Sequence, residues 1–306
     1  MAGARPEDFA SASLVALVVK SVLEADPELL PPGAKAPDPM RGATLSAAHK
    51  RSLLAHIYRR RGAGPLLAIG RHLDAAASPV LAVLANAARP EIMIGKWTRL
   101  ERYGHAVNRT GIRLDGNNAL ACRRWSEGDP PVAAENALIA GFLFGICRLA
   151  GAQGLTLAID GRIVRAGALP SVGALERGGE SFRIAWENWK SPVSQRSPPG
   201  TAATGERLRT LLAGDIARDW SLAEAASQLA KSSRSLQREL SASGVTFSTT
   251  LRGVRIGEAA RLLREDGASL AEIGYCCGYA DQPHFQRDFR HALNMSPGEY
   301  RRVARS

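Results

Sequence analysis

Two short segments of this chain place arginine and glutamine side chains at the spacing of one helix face. Arg234 and Arg238 stand four positions apart with Gln237 beside them, while Leu236 and Leu240 form the opposite, apolar stripe. Such a face has a definite chemistry. The arginine fork and the glutamine amide each make two-point hydrogen bonds to a purine edge in the major groove, arginine with guanine and glutamine with adenine. Two arginines at i, i+4 repel each other unless something anionic lies opposite. Further along, Gln282, His284 and Arg287 surround the apolar pair Phe285 and Phe289 in the same way. These six residues are the candidates for base contact. Ser232, at the start of the first segment, and the arginines Arg255 and Arg290 are the candidates for phosphate contact. A single basic helix face reads equally well as a solvated surface; two in tandem shift the balance.

The elements that would position them are repeated. Ser221-Leu222-Ala223-Glu224 recurs as Ser269-Leu270-Ala271-Glu272, and Leu236-Gln237-Arg238-Glu239-Leu240 recurs as Phe285-Gln286-Arg287-Asp288-Phe289. The openings lie 48 positions apart (269 − 221) and the closings 49 (285 − 236), so one residue has entered between them. Each Ser-x-x-Glu is a capping box that starts a helix, and Ser296/Glu299, with Pro297 at the first helical position, is a third. After Ser221 come Leu222, Ala225, Ala226 and Leu229, and after Ser269 come Leu270, Ile273 and Gly274. Small inward residues let a second helix cross closely at a steep angle, as a helix–turn–helix requires. Ser232 and Asp281 are the caps of the second helices, and Pro283 falls in a first turn, where a missing N–H is tolerated. The run from Phe247 to Arg264 has the period of one connecting helix. Two helix–turn–helix units are therefore expected, at 221–242 and 269–291.

Residues 205–303 resemble the DNA-binding domain of the AraC/XylS family of bacterial transcription regulators. The resemblance runs from Arg255-Ile256 through Ala259, Leu263, Leu270, Ile273-Gly274, Gly278-Tyr279, Phe285 and Phe289 to Ser296-Pro297 and Tyr300-Arg301. It implies an all-α domain that binds double-stranded DNA sequence-specifically, in a regulator that is more often an activator and that works with RNA polymerase. Carried onto this sequence, it assigns direct base contacts to Arg234, Gln237 and Arg238 and to Gln282, His284 and Arg287. Asn294 stands where the family usually has a helix-ending glycine, and asparagine is the next-best residue for positive φ. Pro283 takes a place that often carries a base-reading side chain, which implies one strong and one weaker reading head and a non-palindromic site. The first 190 residues are more distantly similar to the arabinose-binding-type sensor domain of one branch of the family, on the segment leading to Leu30, the run Leu100-Glu101-Arg102-Tyr103-Gly104-His105 and the apolar stretch from Ala134 to Leu149. That similarity implies a domain that binds a small-molecule effector or pairs subunits into a homodimer. His105 and Arg109, near Trp97 and Tyr103, are the effector candidates, against the plainer reading that they are half-buried helix neighbours.

Charge alone does not carry a DNA assignment. Of the formal net charge of +11, residues 200–306 contribute 15 basic against 12 acidic side chains and residues 1–199 contribute 25 against 17. The aperiodic Pro/Gly/Ser stretch 191–204 reads as a linker between a mixed α/β regulatory domain (1–190) and the all-α domain (205–303). In the first domain the patterns predict helices at Leu14–Glu24, Leu45–Tyr58, Pro79–Ala88 and Asn136–Ala150, the last with Gly141 and Gly145 allowing close packing. Ile92–His105 reads as helix or strand, residues 107–125 as a hairpin turning at Asp115-Gly116-Asn117-Asn118, and Leu155–Ile159 and Phe182–Trp186 as strands. The four cysteines have neither disulfide-framework nor zinc-ligand spacing, and no apolar run is long enough to span a bilayer, so a reduced, cytoplasmic protein without metal or cofactor is expected. AraC-type heads also occur fused to alkyl-transferring repair enzymes, but Cys122 and Cys147 lack a neighbouring histidine base, so no catalytic residue is expected. The remaining alternative is a non-specific architectural DNA binder, which sequence preference would separate.

Overall fold

The computed structural model describes residues 18–19, 22, 27–30, 47–73, 79–103, 108–126, 129–165, 175, 178–191, 204–265 and 268–305. The chain divides into two compact units, Met1–Pro192 and Val193–Ser306. The expected helix at Leu14–Glu24 and the expected linker lie almost wholly outside the described residues.

The first unit is mixed α/β. Its helices are α1 (Ala47–Arg61), the short α2 (Gly64–Leu67) with a 3-10 turn after it, α3 (Pro79–Ala85), α4 (Pro90–Tyr103) and α5 (Ala133–Leu149). Strands β1 (Asn108–Leu114), β2 (Ala119–Ser126), β4 (Thr156–Ile159), β5 (Arg162–Arg165) and β6 (Ser181–Ala185) form one antiparallel sheet in the order β1-β2-β6-β4-β5, and β3 (Ala152–Gln153) pairs with β7 (Asn188–Trp189). Registry follows the alternation of side chains. Ile112, Cys122, Phe182 and Ile159 form one inward row across the sheet, and Leu114, Leu120, Ile184 and Leu157 the next. The opposite face carries Arg113, Arg123 and Arg183, all exposed, and Trp125, which is 46% exposed. Part of the first unit's excess positive charge stands on this sheet face.

Glycines decide the central packing. A Cβ on Gly141 would lie 2.5 Å from the carbonyl oxygen of Leu67, and one on Gly145 would lie 2.5 Å from the Cα of Gly70. The backbone of α5 therefore touches the backbone of α2 and the turn that follows it, as the small residues in the sequence suggested. A second cohesive element is polar. The guanidinium of Arg124 is buried and donates to Thr110 Oγ1 (2.6 Å) and Asn136 Oδ1 (3.4 Å), with Glu101 at 3.5 Å. Burial pushes the Glu101 carboxyl above its ordinary range, against the lowering effect of Thr110, whose N–H and hydroxyl both donate to it, and of Arg124. Buried Glu135 is met by Asn108 at 3.0 Å, Arg51 at 3.6 Å and Lys50 at 3.8 Å. These bonds tie α1, α4, α5, β1 and β2 together beneath the sheet.

The basic run Arg59–Arg61 forms the exposed last turn of α1, which the left-handed Gly62 (φ 67°) ends. Two expectations change. The segment read as helix or strand is helix α4. Strand β5 is an addition to the expected strands, joined to β4 by the two-residue turn Asp160-Gly161, both at positive φ.

The second unit is helical: α6 (Thr204–Gly214), α7 (Leu222–Gln228), α8 (Ser233–Ala242), α9 (Phe247–Glu265), α10 (Leu270–Cys276), α11 (Gln282–Leu293) and α12 (Pro297–Arg305). Two helix pairs, α7–α8 and α10–α11, flank the long α9. Leu208, Leu212, Trp220, Ala225, Ala226, Leu229, Leu236 and Leu240 form the core of the first pair, with Phe247, Leu251 and Val254 of α9 packed against it.

Gly145→Ala forces backbone apart at the α5 crossing and should destabilise the first unit by about 1–3 kcal/mol. Urea unfolding followed by the fluorescence of Trp97 and Trp125 checks this, and a midpoint equal to that of the parent protein would refute the close packing.

Candidate nucleic-acid interface

The first helix pair is built from its caps. Ser221 Oγ accepts the N–H of Glu224 at 3.1 Å, and Glu224 Oε2 accepts the N–H of Ser221 at 3.1 Å. Ala225 and Ala226 are fully buried, and their small side chains admit α8, whose Leu236 and Leu240 are also buried. Ser232 caps α8 by accepting the N–H of Ser235 at 3.1 Å. With the leucines turned inward, Arg234, Gln237, Arg238 and Ser241 are exposed on the other side. Glu239 takes the flank, receiving both Lys231 contacts at 2.8 Å and the hydroxyls of Thr204 and Ser235. The Lys231 and Thr204 bonds hold its carboxyl down at about 2. Glu239 thus secures α8 from the side and leaves the arginine face clear.

The second pair repeats the plan with aromatic packing. The Ser269/Glu272 box is closed by bonds of 2.8 and 3.1 Å, and Asp281 caps α11 through the N–H of His284 at 2.7 Å. Phe285 and Phe289 are fully buried and meet edge-on at 5.7 Å, with Tyr300 5.5 Å beyond. Asn294 ends α11 in the left-handed conformation (φ 55°, ψ 20°), taking the role expected of it. The exposed face of α11 carries Pro283, Gln286, Arg287, Arg290 and His291. Among the described residues Arg234, Arg238 and Arg287 carry no ion pair, so three cations stand open on two helix faces.

Residues 225–303 match the family model described as a helix-turn-helix domain. The C-terminal unit is an AraC-type helix-turn-helix domain. Its relatives include the transcriptional regulator SirC of Salmonella typhimurium, 31% identical over 100 residues, which are 33% of this chain and 34% of SirC. The transcriptional activator RhaS of Escherichia coli is 40% identical over 77 residues, 25% of this chain and 28% of RhaS. Among solved structures, a DNA-binding transcriptional dual regulator of Escherichia coli K-12 aligns at 29% identity and a TM-score of 0.34, over 35% of this chain and 97% of that one. The chain spans about a third of the length of the curated relatives it matches first.

Within the AraC-type domain the expected residues do not all stand alike. Arg234, Gln237, Arg238 and Arg287 lie on the outer faces, and Gln282 is half-buried at the first position of α11. His284 is turned to the flank of its helix: its ring meets Tyr279 edge-on at 5.3 Å and its Nε2 lies 3.7 Å from Asp288. Gln286 is the exposed residue at the place of Gln237, 49 positions later, and it was not among the six. The offset of the repeat itself (285 − 236) was the signal that would have found it.

Of the phosphate candidates, Ser232 and Arg290 are exposed near opposite ends of their helices. Arg255 is placed differently. Its guanidinium faces inward, with Nη2 donating to the carbonyl of Arg218 at 3.4 Å and Cζ 5.8 Å from the centre of the Tyr279 ring. This half-buried placement gives a phosphate contact no support. In the first unit His105 lies outside the described residues, and the Arg109 guanidinium is bonded to the carbonyl of Glu101. Cys122 and Cys147 are buried, and burial pushes the Cys122 thiol up to about 12 and that of Cys147 higher still. Neither environment supplies a reactive thiolate. Among the described residues no cluster of His, Cys, Asp and Glu is arranged to hold a metal, and no helix is long and apolar enough to cross a membrane.

The two inter-helix turns differ. Gly278 (φ 83°) occupies the left-handed position of the second turn, whereas the first turn places Ala230 there (φ 55°). Ala230→Gly should relieve backbone strain and stabilise the domain by roughly 1 kcal/mol, measured as a raised urea midpoint; a lowered midpoint would contradict the left-handed assignment. The acid response of Glu239 is a second check. Its carboxyl, ordinarily at 4.5, titrates at about 2 in the fold, so its contribution is present above pH 4.5 and is lost as pH falls towards 2. Glu239→Gln should therefore be less stable than the parent at neutral pH, with the gap closing as the pH falls to 2. A gap independent of pH would show that the ion pair does not anchor α8.

Proposed function

We propose that the protein is a sequence-specific transcription regulator, acting as an activator, whose C-terminal unit reads asymmetric double-stranded DNA through α8 and α11. The observation that carries this reading is the pair of unpaired basic faces, Arg234-Gln237-Arg238 and Gln286-Arg287, each set behind a capped helix of small residues and each in the same register of the repeat. Arginine and glutamine there read purine edges, while Ser232, Arg290 and the helix N-termini meet phosphates. Gln282 lies at the entry of α11 and His284 on its flank, so both serve the second head from its edge, and Pro283 leaves that head weaker than the first. The N-terminal unit senses a small-molecule effector or pairs subunits into a homodimer, with Arg109 and His105 as its effector candidates, and RNA polymerase is the downstream partner. The protein works in the cytoplasm without metal or cofactor and is not an enzyme.

Selection of bound duplexes from a random pool by the full-length protein tests the reading. A non-palindromic consensus with two unequal half-sites is the expected result, whereas equal retention of all sequences at physiological salt would identify an architectural binder instead. On the selected duplex, Arg238→Ala and Arg287→Ala should each cost about 1–3 kcal/mol, with base preference relaxed in different half-sites. Gln286→Ala should relax the same half-site as Arg287→Ala. A uniform loss on every duplex would make these residues phosphate contacts.

A further inference from the structure

Arg255 sits at the middle of α9, where the two helix pairs meet. Its guanidinium donates to the carbonyl of Arg218, in the segment that enters the first pair, and faces the ring of Tyr279, in the turn of the second. Both ends of this contact are themselves held. Arg218 Nη2 is 3.0 Å from Glu224 Oε1 of α7, and its guanidinium lies 4.3 Å over the Trp220 ring, whose Nε1 donates to the Asp215 carbonyl at 2.8 Å. Tyr279 is buried between His284 and Phe285. Gly278 completes the seat: a Cβ there would lie 2.6 Å from the carbonyl oxygen of Ile216 and 2.9 Å from Arg255 Nε and Nη2. The turn of one head thus rests directly on the entry segment of the other, with the arginine fork between them. One helical turn away on the same helix, Arg252 Nε is 3.3 Å from Asp288 Oδ2 of α11, a more exposed tie to the second recognition helix.

We propose that Arg255 is a positioning residue that fixes the separation and angle of the two recognition helices, and so sets the half-site spacing the protein accepts. The inference rests on the two-headed DNA reading proposed above. A shared helix alone does not hold two heads in one orientation, because each head can roll about its own contact with that helix. A mid-helix side chain that donates to one head and lies over a ring of the other restrains that freedom. Arginine suits the place because its charge faces a ring while its edge donates to a carbonyl, which an ammonium does with less definition.

The test measures a ratio. Full-length protein is titrated with the selected duplex and with versions carrying one or two base pairs inserted between the half-sites, each of which moves the second half-site by about 3.4 Å and roughly 35°. The parent protein should lose on the order of tenfold or more per insertion, comparable to a mismatched base pair. Arg255→Met should reduce that penalty to about threefold or less, with Arg255→Lys between the two. Because all the duplexes are titrated with one sample, a smaller folded fraction cancels from the ratio, which a merely stabilising role would leave unchanged. If Arg255→Met does not fold, Tyr279→Leu removes the ring and leaves the arginine in place, and the same flattening is expected. An undiminished penalty in folded variants would overturn the positioning role while leaving the DNA reading intact. A parent protein that selects no duplex, or is indifferent to spacing, would overturn the two-headed reading and the role of Arg255 with it.

Discussion

The guanidinium of Arg255 lies where the helix shared by both heads, the entry segment of the first and the turn of the second come together. Most other contacts in the C-terminal unit serve a single head: the leucine and alanine core of α7 and α8, or the aromatic series from Tyr279 through Phe285 and Phe289 to Tyr300. Each of these cores orients one recognition helix by burying one stripe and leaving the opposite stripe to water, a local consequence of helical periodicity. Joining two such heads needs a group that reaches across. Arg255 reaches across with Nη2 on a carbonyl on one side and its guanidinium facing a π-face on the other.

The two heads use the same plan with different means. Aliphatic packing against alanines in the first becomes aromatic packing in the second, and a left-handed alanine in the first turn answers to a left-handed glycine in the second. The glycine has a reason beyond backbone freedom, since the turn it makes is pressed against Ile216 and Arg255 and has no room for a side chain. On the outer faces, Arg234 of the first head corresponds to Pro283 of the second, whose exposed arginines are Arg287 and, nearer the helix end, Arg290.

The N-terminal unit is held by opposite extremes of contact. Glycines bring the backbone of α5 against α2 and the following turn, and a buried ionic cluster around Arg124, Glu101 and Glu135 knits the helices to the sheet. A buried ion pair is costly to form and more costly to break by removing one partner, so such a cluster specifies one arrangement of elements more than it adds net stability. The arginines on the opposite sheet face stand apart from it, and Asp115 takes up one of them, Arg183, at 2.8 Å. Strand β5 is hard to read from sequence because Arg162-Ile163-Val164-Arg165 does not alternate, and the Asp160-Gly161 turn is what marks the hairpin.

What the sequence by itself determined was everything with a short-range cause. Capping boxes, the left-handed Asn294, the small-residue helices and the inward stripes of α8 and α11 depend on residues at most a few positions apart, so each could be read from spacing. The repeat also contained the equivalence of Gln237 and Gln286, which a strict use of its offset would have yielded. What only the tertiary structure decided was the direction of long side chains. Arg255 stands four residues from Leu251 and from Ala259, within the inward stripe of α9, but the groups it meets there, Arg218 and Tyr279, lie 37 residues before it in the chain (255 − 218) and 24 after (279 − 255). His284 likewise follows Tyr279 and Asp288 rather than the outer face. An arginine or histidine carries several rotatable bonds, and which way it turns is settled by partners that only folding brings within reach.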